Sequence, residues 1–168
     1  MKIGLITVAG AALVFGGPAF AQQAPSCDGP QDACRQIVDI SNQYNAAFNS
    51  HDVAAITGLF TTDAVDVGEN VMLSGRAALE KFYTDGFKAG WATHSSGPNQ
   101  VHVMGDSGWA VGSWSATPPG AKDASQKAAG TWGDVVVLQN GTWKIRMLTW
   151  NVTEAPPESA GANTAPNR

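Results

Sequence analysis

The feature that most constrains the fold of this chain is a change of period at Trp91. Up to Gly90, apolar residues recur at steps of three and four; from Trp91 onward, Val, Trp, Thr and Gly alternate in short runs divided by turn signals. The first pattern buries one stripe of a helix, the second one face of an antiparallel strand. Cys34, Ile37, Ile40, Tyr44, Ala47 and Phe48 predict a first helix that ends near Asn49-Ser50. Asp52 caps a second, with Val53, Ile56, Leu59 and Phe60 inward; Thr61-Thr62-Asp63 stops it. A short strand over 64–67, a turn at Gly68-Glu69-Asn70 and a return through Val71-Met72-Leu73 follow. Ser74 is then expected to cap a third helix carrying Ala78, Leu79, Phe82, Tyr83 and Phe87, closed by Gly90. Strands are predicted near 91–95, 99–104, 108–117, 129–139 and 142–152, with Asn140-Gly141 the strongest hairpin signal. Three helices followed by a meander of strands predict an α+β domain: a strongly curved antiparallel sheet packed on helices, a cone with an apolar pocket.

The ends of the chain are of a different character. Lys2, an apolar run over 3–15 and Ala19-Phe20-Ala21 have the pattern of a secretory signal peptide over 1–21, too short to span a bilayer. Export to the periplasm or beyond is therefore expected. Residues 22–31 read as a loose leader and 154–168 as a disordered tail. The only two thiols, Cys27 and Cys34, are expected to form one disulfide tying the leader to the first helical turn. Removing the signal peptide after Ala21 leaves nine basic side chains against fourteen acidic ones, without a basic cluster, which argues against nucleic acid; no basic amphipathic helix suggests a membrane surface. His and carboxylate spacings suggest no metal, and no cofactor motif is present. Gly105-Asp106-Ser107-Gly108 copies a serine-protease nucleophile segment, but it falls at a strand turn with no partner triad in view.

Four segments carry a resemblance. Tyr44-Asn-Ala-Ala-Phe-Asn-Ser-His-Asp52, Ile56-Thr-Gly-Leu-Phe-Thr-Thr-Asp-Ala-Val65, Ser74-Gly-Arg-Ala-Ala-Leu-Glu-Lys-Phe-Tyr83 and Asn140-Gly-Thr-Trp-Lys-Ile-Arg-Met-Leu-Thr-Trp-Asn151 resemble the ketosteroid-isomerase and SnoaL-like proteins of the nuclear transport factor 2-like superfamily, over residues 32–153. The resemblance implies the cone-shaped fold of that superfamily and a sheet-to-sheet homodimer. It also implies a catalytic pattern: an aspartate base that removes a proton beside a carbonyl, and a tyrosine and a protonated aspartic acid that hold the enolate oxygen. Tyr44 matches the tyrosine, with a core tyrosine as the plain alternative. The base position falls on Gly68, which cannot remove a proton. Asp66 lies two residues earlier on the same predicted face, as a relocated base or simply a hydrogen-bonded carboxylate. Asp134 sits one residue from the protonated acid's position, where counting back from Lys144-Ile145 gives Val135; a β-bulge would restore the register, and without one Asp134 and Trp132 point away.

His94 is a further candidate for acid–base work, as is His102, each with an exposed polar role as the alternative. The expected pocket is lined by Phe48, Phe60, Trp114, Leu148 and Trp150, with Asp134 as a polar member; Gly112 and Ala116 leave room beside Trp114. In the last strand Leu148 and Trp150 share a face with Lys144 and Arg146, opposite Trp143, Ile145 and Met147. Either a bulge switches faces midway or a second subunit covers the convex side. Three functions follow: a small-molecule-binding domain with an apolar pocket; an isomerase, cyclase or dehydratase using Asp66 or His94 as base and Tyr44 as oxyanion donor; or a structural dimer whose cone is filled by its own aromatics.

Overall fold

Nineteen residues of helical period, Gln31–Asn49, form α1, which buries Cys34, Ile37, Ile40, Ser41, Ala47 and Phe48 along one stripe. Residues 24–123 and 126–153 are described by the structure, a computed structural model; the expected signal peptide and tail lie outside them. Ahead of α1, Ser26–Asp28 forms a short strand, β1. After it come α2 (Val53–Gly58), β2 (Phe60–Gly68), β3 (Val71–Ser74) and α3 (Arg76–Ala89). The chain then runs through β4 (Ala92–Met104), β5 (Ser107–Thr117), β6 (Ala128–Gln139) and β7 (Thr142–Trp150). The seven strands form one curved, unclosed sheet in the order β1-β4-β5-β6-β7-β2-β3, with the helices packed on it.

Three departures from the sequence reading bear on the site. The leader is not entirely loose: β1 pairs in parallel with β4, and the Cys27–Cys34 disulfide, 6.1 Å between Cα atoms, fastens it to α1. Second, α2 stops at Gly58 and β2 begins at Phe60, so Thr61-Thr62-Asp63 are strand; β2 pairs in parallel with β7, with a register shift between Phe60 and Val65. Leu59 and Phe60 fit a helical stripe by spacing, but the backbone carbonyl of Leu59 accepts a hydrogen bond from Ile145 N–H and sheet pairing takes over from there. The sheet is thus antiparallel in its centre and parallel at two joints. Third, Gly75 rather than Ser74 occupies the N-cap of α3, without a side-chain cap. Asp52 does cap α2, accepting from Ala55 N–H at 2.9 Å.

Two bulges set which side chains look inward. In β4, Ala92 pairs with Thr117 and His94 with Ala116, leaving Thr93 as an extra residue at φ 43°, a costly conformation for a β-branched residue. In β7, Val135 of β6 pairs with Met147 and Val136 with Ile145, so Arg146 is an extra residue with no register partner on β6. Of the two explanations open for the last strand, the bulge is present: Trp143 and Ile145 are buried in the core, Met147 turns out, and Leu148 and Trp150 turn in. Along β6, Trp132, Asp134 and Val136 all face inward. The one-residue slip that threatened to turn Asp134 away is absorbed at Arg146.

Candidate functional site

Between α1, α3 and the concave sheet lies a cavity of about 610 Å³. Its wall includes Tyr44 and Phe48 from α1, Phe82, Tyr83 and Phe87 from α3, and Trp91, His94, Trp114, Ala116, Trp132, Asp134, Leu148 and Trp150 from the sheet side. The exposed Glu69, Asn70 and Asp85 form part of its rim, where it meets solvent. The cone is therefore not filled by its own aromatics. Several of these rings make edge or tilted contacts with one another: Phe48 with Phe87 at 4.9 Å, Trp114 with Trp150 at 6.0 Å and Tyr44 with Phe48 at 6.1 Å.

Two expected members are not in that wall. Phe60, 1% exposed, packs into the core beneath the cavity, because strand pairing with Ile145 draws it under the helices. Asp66 is likewise 1% exposed and lies behind Trp150, whose indole N–H donates to Asp66 Oδ1 at 2.9 Å; Asp66 Oδ2 has no partner among the described residues. Burial pushes the Asp66 carboxyl up to about 6, against the Trp150 hydrogen bond. The side chain that covers Asp66 is seated by Gly68. A Cβ on Gly68 would stand 2.4 Å from Trp150 Cζ2, so only glycine lets the indole lie there. The position that the family resemblance gives to the base is thus occupied by a tryptophan ring. Gly112, expected to leave room beside Trp114, serves strand approach instead: its Cβ would meet Gly97 O at 2.1 Å and the Trp132 ring at 2.9 Å.

Tyr44 donates from its hydroxyl to the Tyr83 hydroxyl at 3.0 Å, and burial pushes both phenols up. His94 is held by a device that sequence reasoning missed. Asn45 and Asn49, one turn apart on α1, act as a substitute strand edge: Asn49 bonds the backbone N–H and C=O of His94 at 2.6 and 3.0 Å, and Asn45 does the same for Ser96 at 2.9 and 2.8 Å. Asn45 Oδ1 also lies 2.8 Å from His94 Nδ1. That oxygen can only accept, so the neutral ring carries its proton on Nδ1 and leaves Nε2 as an acceptor. Burial pushes His94 down to about 4, and the ring is neutral at pH 7. An i, i+4 pair of asparagines on an otherwise apolar stripe was the available signal. His102 lies outside the cavity wall, stacked on Trp109 and bonded to Asp28 at 2.7 Å.

Asp134 is 8% exposed, accepts from Ala110 N–H on Oδ1 at 3.0 Å, and is pushed up to about 7 by burial against that hydrogen bond. Three of the four indole N–H groups that border the cavity are occupied by protein acceptors: Trp114 by Asn151 O, Trp132 by Ser113 O, and Trp150 by Asp66.

The sequence model of the SnoaL-like domain family matches residues 32–149. No curated protein matches the chain. Among solved structures, a protein of unknown function with a cystatin-like fold from Nostoc punctiforme superposes with a TM-score of 0.67 at 14% identity, covering 78% of this chain and 98% of that one. A ketosteroid isomerase-like protein from Erwinia carotovora atroseptica gives 0.65 at 17% identity, covering 74% and 99%. A Mycobacterium tuberculosis protein of unknown function gives 0.66 at 19%, covering 83% and 85%. These likenesses carry the fold.

Proposed function

This chain belongs to the SnoaL-like domain family, and we propose that it binds a small, largely apolar molecule in the cavity between α1, α3 and the sheet. The single observation that carries the reading is the open volume of about 610 Å³, within the 300–1,000 Å³ usual for small-molecule sites and walled mainly by aromatic rings. Tyr44 and the acid Asp134 orient the ligand in this reading, and Trp114 supplies stacking area. A thermal-shift and tryptophan-fluorescence screen with steroids, polyketide-like aromatics, fatty acids and apolar carbonyl compounds tests it. At least one class is expected to raise the melting temperature saturably, and Trp114→Ala to weaken that response about tenfold; no shift from any class would overturn the reading.

A second reading, an isomerase, cyclase or dehydratase, draws on the fixed His94 tautomer with its unprotonated Nε2 at the cavity and on Tyr44 beside it, ring centroids 5.0 Å apart. Its weakness is the base. Asp66 is covered by Trp150, and His94 is a poor proton acceptor near neutrality. Loss of turnover in His94→Ala or Asp66→Asn, with the fold intact, would favour it.

Two further proposals concern the setting. Export suits the Cys27–Cys34 disulfide and the amino-terminal sequence pattern. A homodimer through the sheet suits the convex face, where Val111, Val135 and Met147 are each about 40% exposed. Sedimentation equilibrium of the exported domain is then expected to give twice the chain mass, and Val135→Lys to give the single-chain mass.

A further inference from the structure

Beside the hydroxyls of Ser41 and Tyr83, the inner wall of the cavity carries two unspent acceptors. Asp134 Oδ1 takes the Ala110 N–H, and no protein donor reaches Oδ2 among the described residues. His94 offers Nε2, its proton being on the nitrogen that faces Asn45. The indole N–H groups of Trp114, Trp132 and Trp150 are already bonded to protein oxygens. Among the described residues no Lys or Arg lines the cavity, while three acids do. Two of those acids sit at the rim with partners of their own: Glu69 accepts from Val152 N–H, and Asp85 is ion-paired with Lys81. Asp134 is the inner acid, and its cross-strand neighbours Ala110 and Leu148 bring no charge.

From this inventory we infer that the cavity is selective for apolar amines in their protonated form, the ammonium seated against Asp134 with the aromatic wall around its hydrocarbon. The inference rests on the small-molecule reading above and names its ligand class. A carboxylate held among apolar side chains without a counter-charge is unfavourable, which is why burial pushes Asp134 up to about 7. An ammonium supplies the missing charge and the missing donors together. The faces of Trp132, Trp114 and Trp150 attract a cation through the ring quadrupole, most strongly where water is excluded. A neutral ligand of the same shape fills the volume but leaves the acid unpaired. A carboxylate ligand finds no cation among the described lining residues and adds a like charge.

Isothermal titration calorimetry at pH 8 with three probes of one shape separates these cases: 1-naphthylmethylamine as the cation, 1-naphthylmethanol as the neutral form and 1-naphthoate as the anion. The cation is expected to bind at least about tenfold more tightly than the alcohol, and the anion about tenfold more weakly than the alcohol. Asp134→Asn retains an acceptor for Ala110 N–H; it is expected to bring the cation to within about twofold of the alcohol. Equal affinity for cation and alcohol in the natural protein would overturn the inference and leave the pocket reading intact, as would a cation preference that survives in Asp134→Asn. Failure of all three probes to bind would overturn both.

Discussion

Truncating Phe60 to alanine is expected to lower the unfolding free energy by about 3–5 kcal/mol, a loss of roughly 10–20 °C in melting temperature for a domain of this size. Phe60 is 1% exposed and packs among fully buried side chains, so its removal leaves a new void that close-packed neighbours cannot fill. Phe82 makes the contrast. It lines the existing cavity and is only half-buried, so Phe82→Ala enlarges a space that is already open and is expected to cost about 1–2 kcal/mol, the transfer contribution alone. Urea unfolding of the two variants checks both values. Equal losses would mean that Phe60 belongs to the cavity wall after all.

Stability is expected to fall by about 3 kcal/mol between pH 4 and pH 7, the reverse of the behaviour of a protein held by paired carboxylates. Asp66 and Asp134 have folded values of about 6 and about 7, above their ordinary 3.8, so the fold favours their protonated forms. The stability they contribute is complete below about pH 3.8 and is lost as pH rises through 6 and 7. His94 runs the other way: its folded value of about 4 lies below the ordinary 6.5, so its contribution is complete above pH 6.5 and lost as pH falls toward 4. Between pH 4 and 6 two losses outweigh one gain, a net fall of about 1.4 kcal/mol per pH unit; from 6.5 to 7 Asp134 acts alone at a similar slope. Asp134→Asn removes that upper limb and is expected to be more stable than the natural protein at pH 8. Chemical denaturation at pH 4.5, 6 and 8 checks the slope, and a stability that rises across this range in the natural protein would contradict the burial of the two acids.

How far the fold could be read in advance depended on whether local pattern and tertiary pairing agreed. The stripe from Cys34 to Phe48 and the Asn140-Gly141 turn belong to elements whose own period decides them, and α1 and the β6–β7 hairpin stand where that pattern implies. Phe60 is the opposite case. Its spacing from Ile56 fits a helix, yet parallel pairing with β7 makes it strand, and nothing local announces a partner 85 residues away. The extra residue at Arg146 is equally silent: the sequence raised the contradiction of two apolar faces on one strand, and only the register of β6 against β7 resolves it. Within the candidate site, Tyr44, Phe48, Trp114 and Trp150 were named from the sequence, whereas the α3 aromatics Phe82, Tyr83 and Phe87 read only as a helical stripe. The Asn45–Asn49 clamp and the ring of Trp150 over Gly68 were not legible, because each depends on a contact between segments far apart in the chain.

An open cavity of this size takes up an apolar guest. Titrating naphthalene into the domain while following tryptophan emission tests it most directly, since Trp91, Trp114, Trp132 and Trp150 all border the space. The natural protein is expected to show a saturable change at one guest per chain, and Leu148→Trp, which puts a second large ring into the same volume, to weaken it at least about tenfold. A linear, unsaturable response identical in both proteins would contradict an open binding cavity.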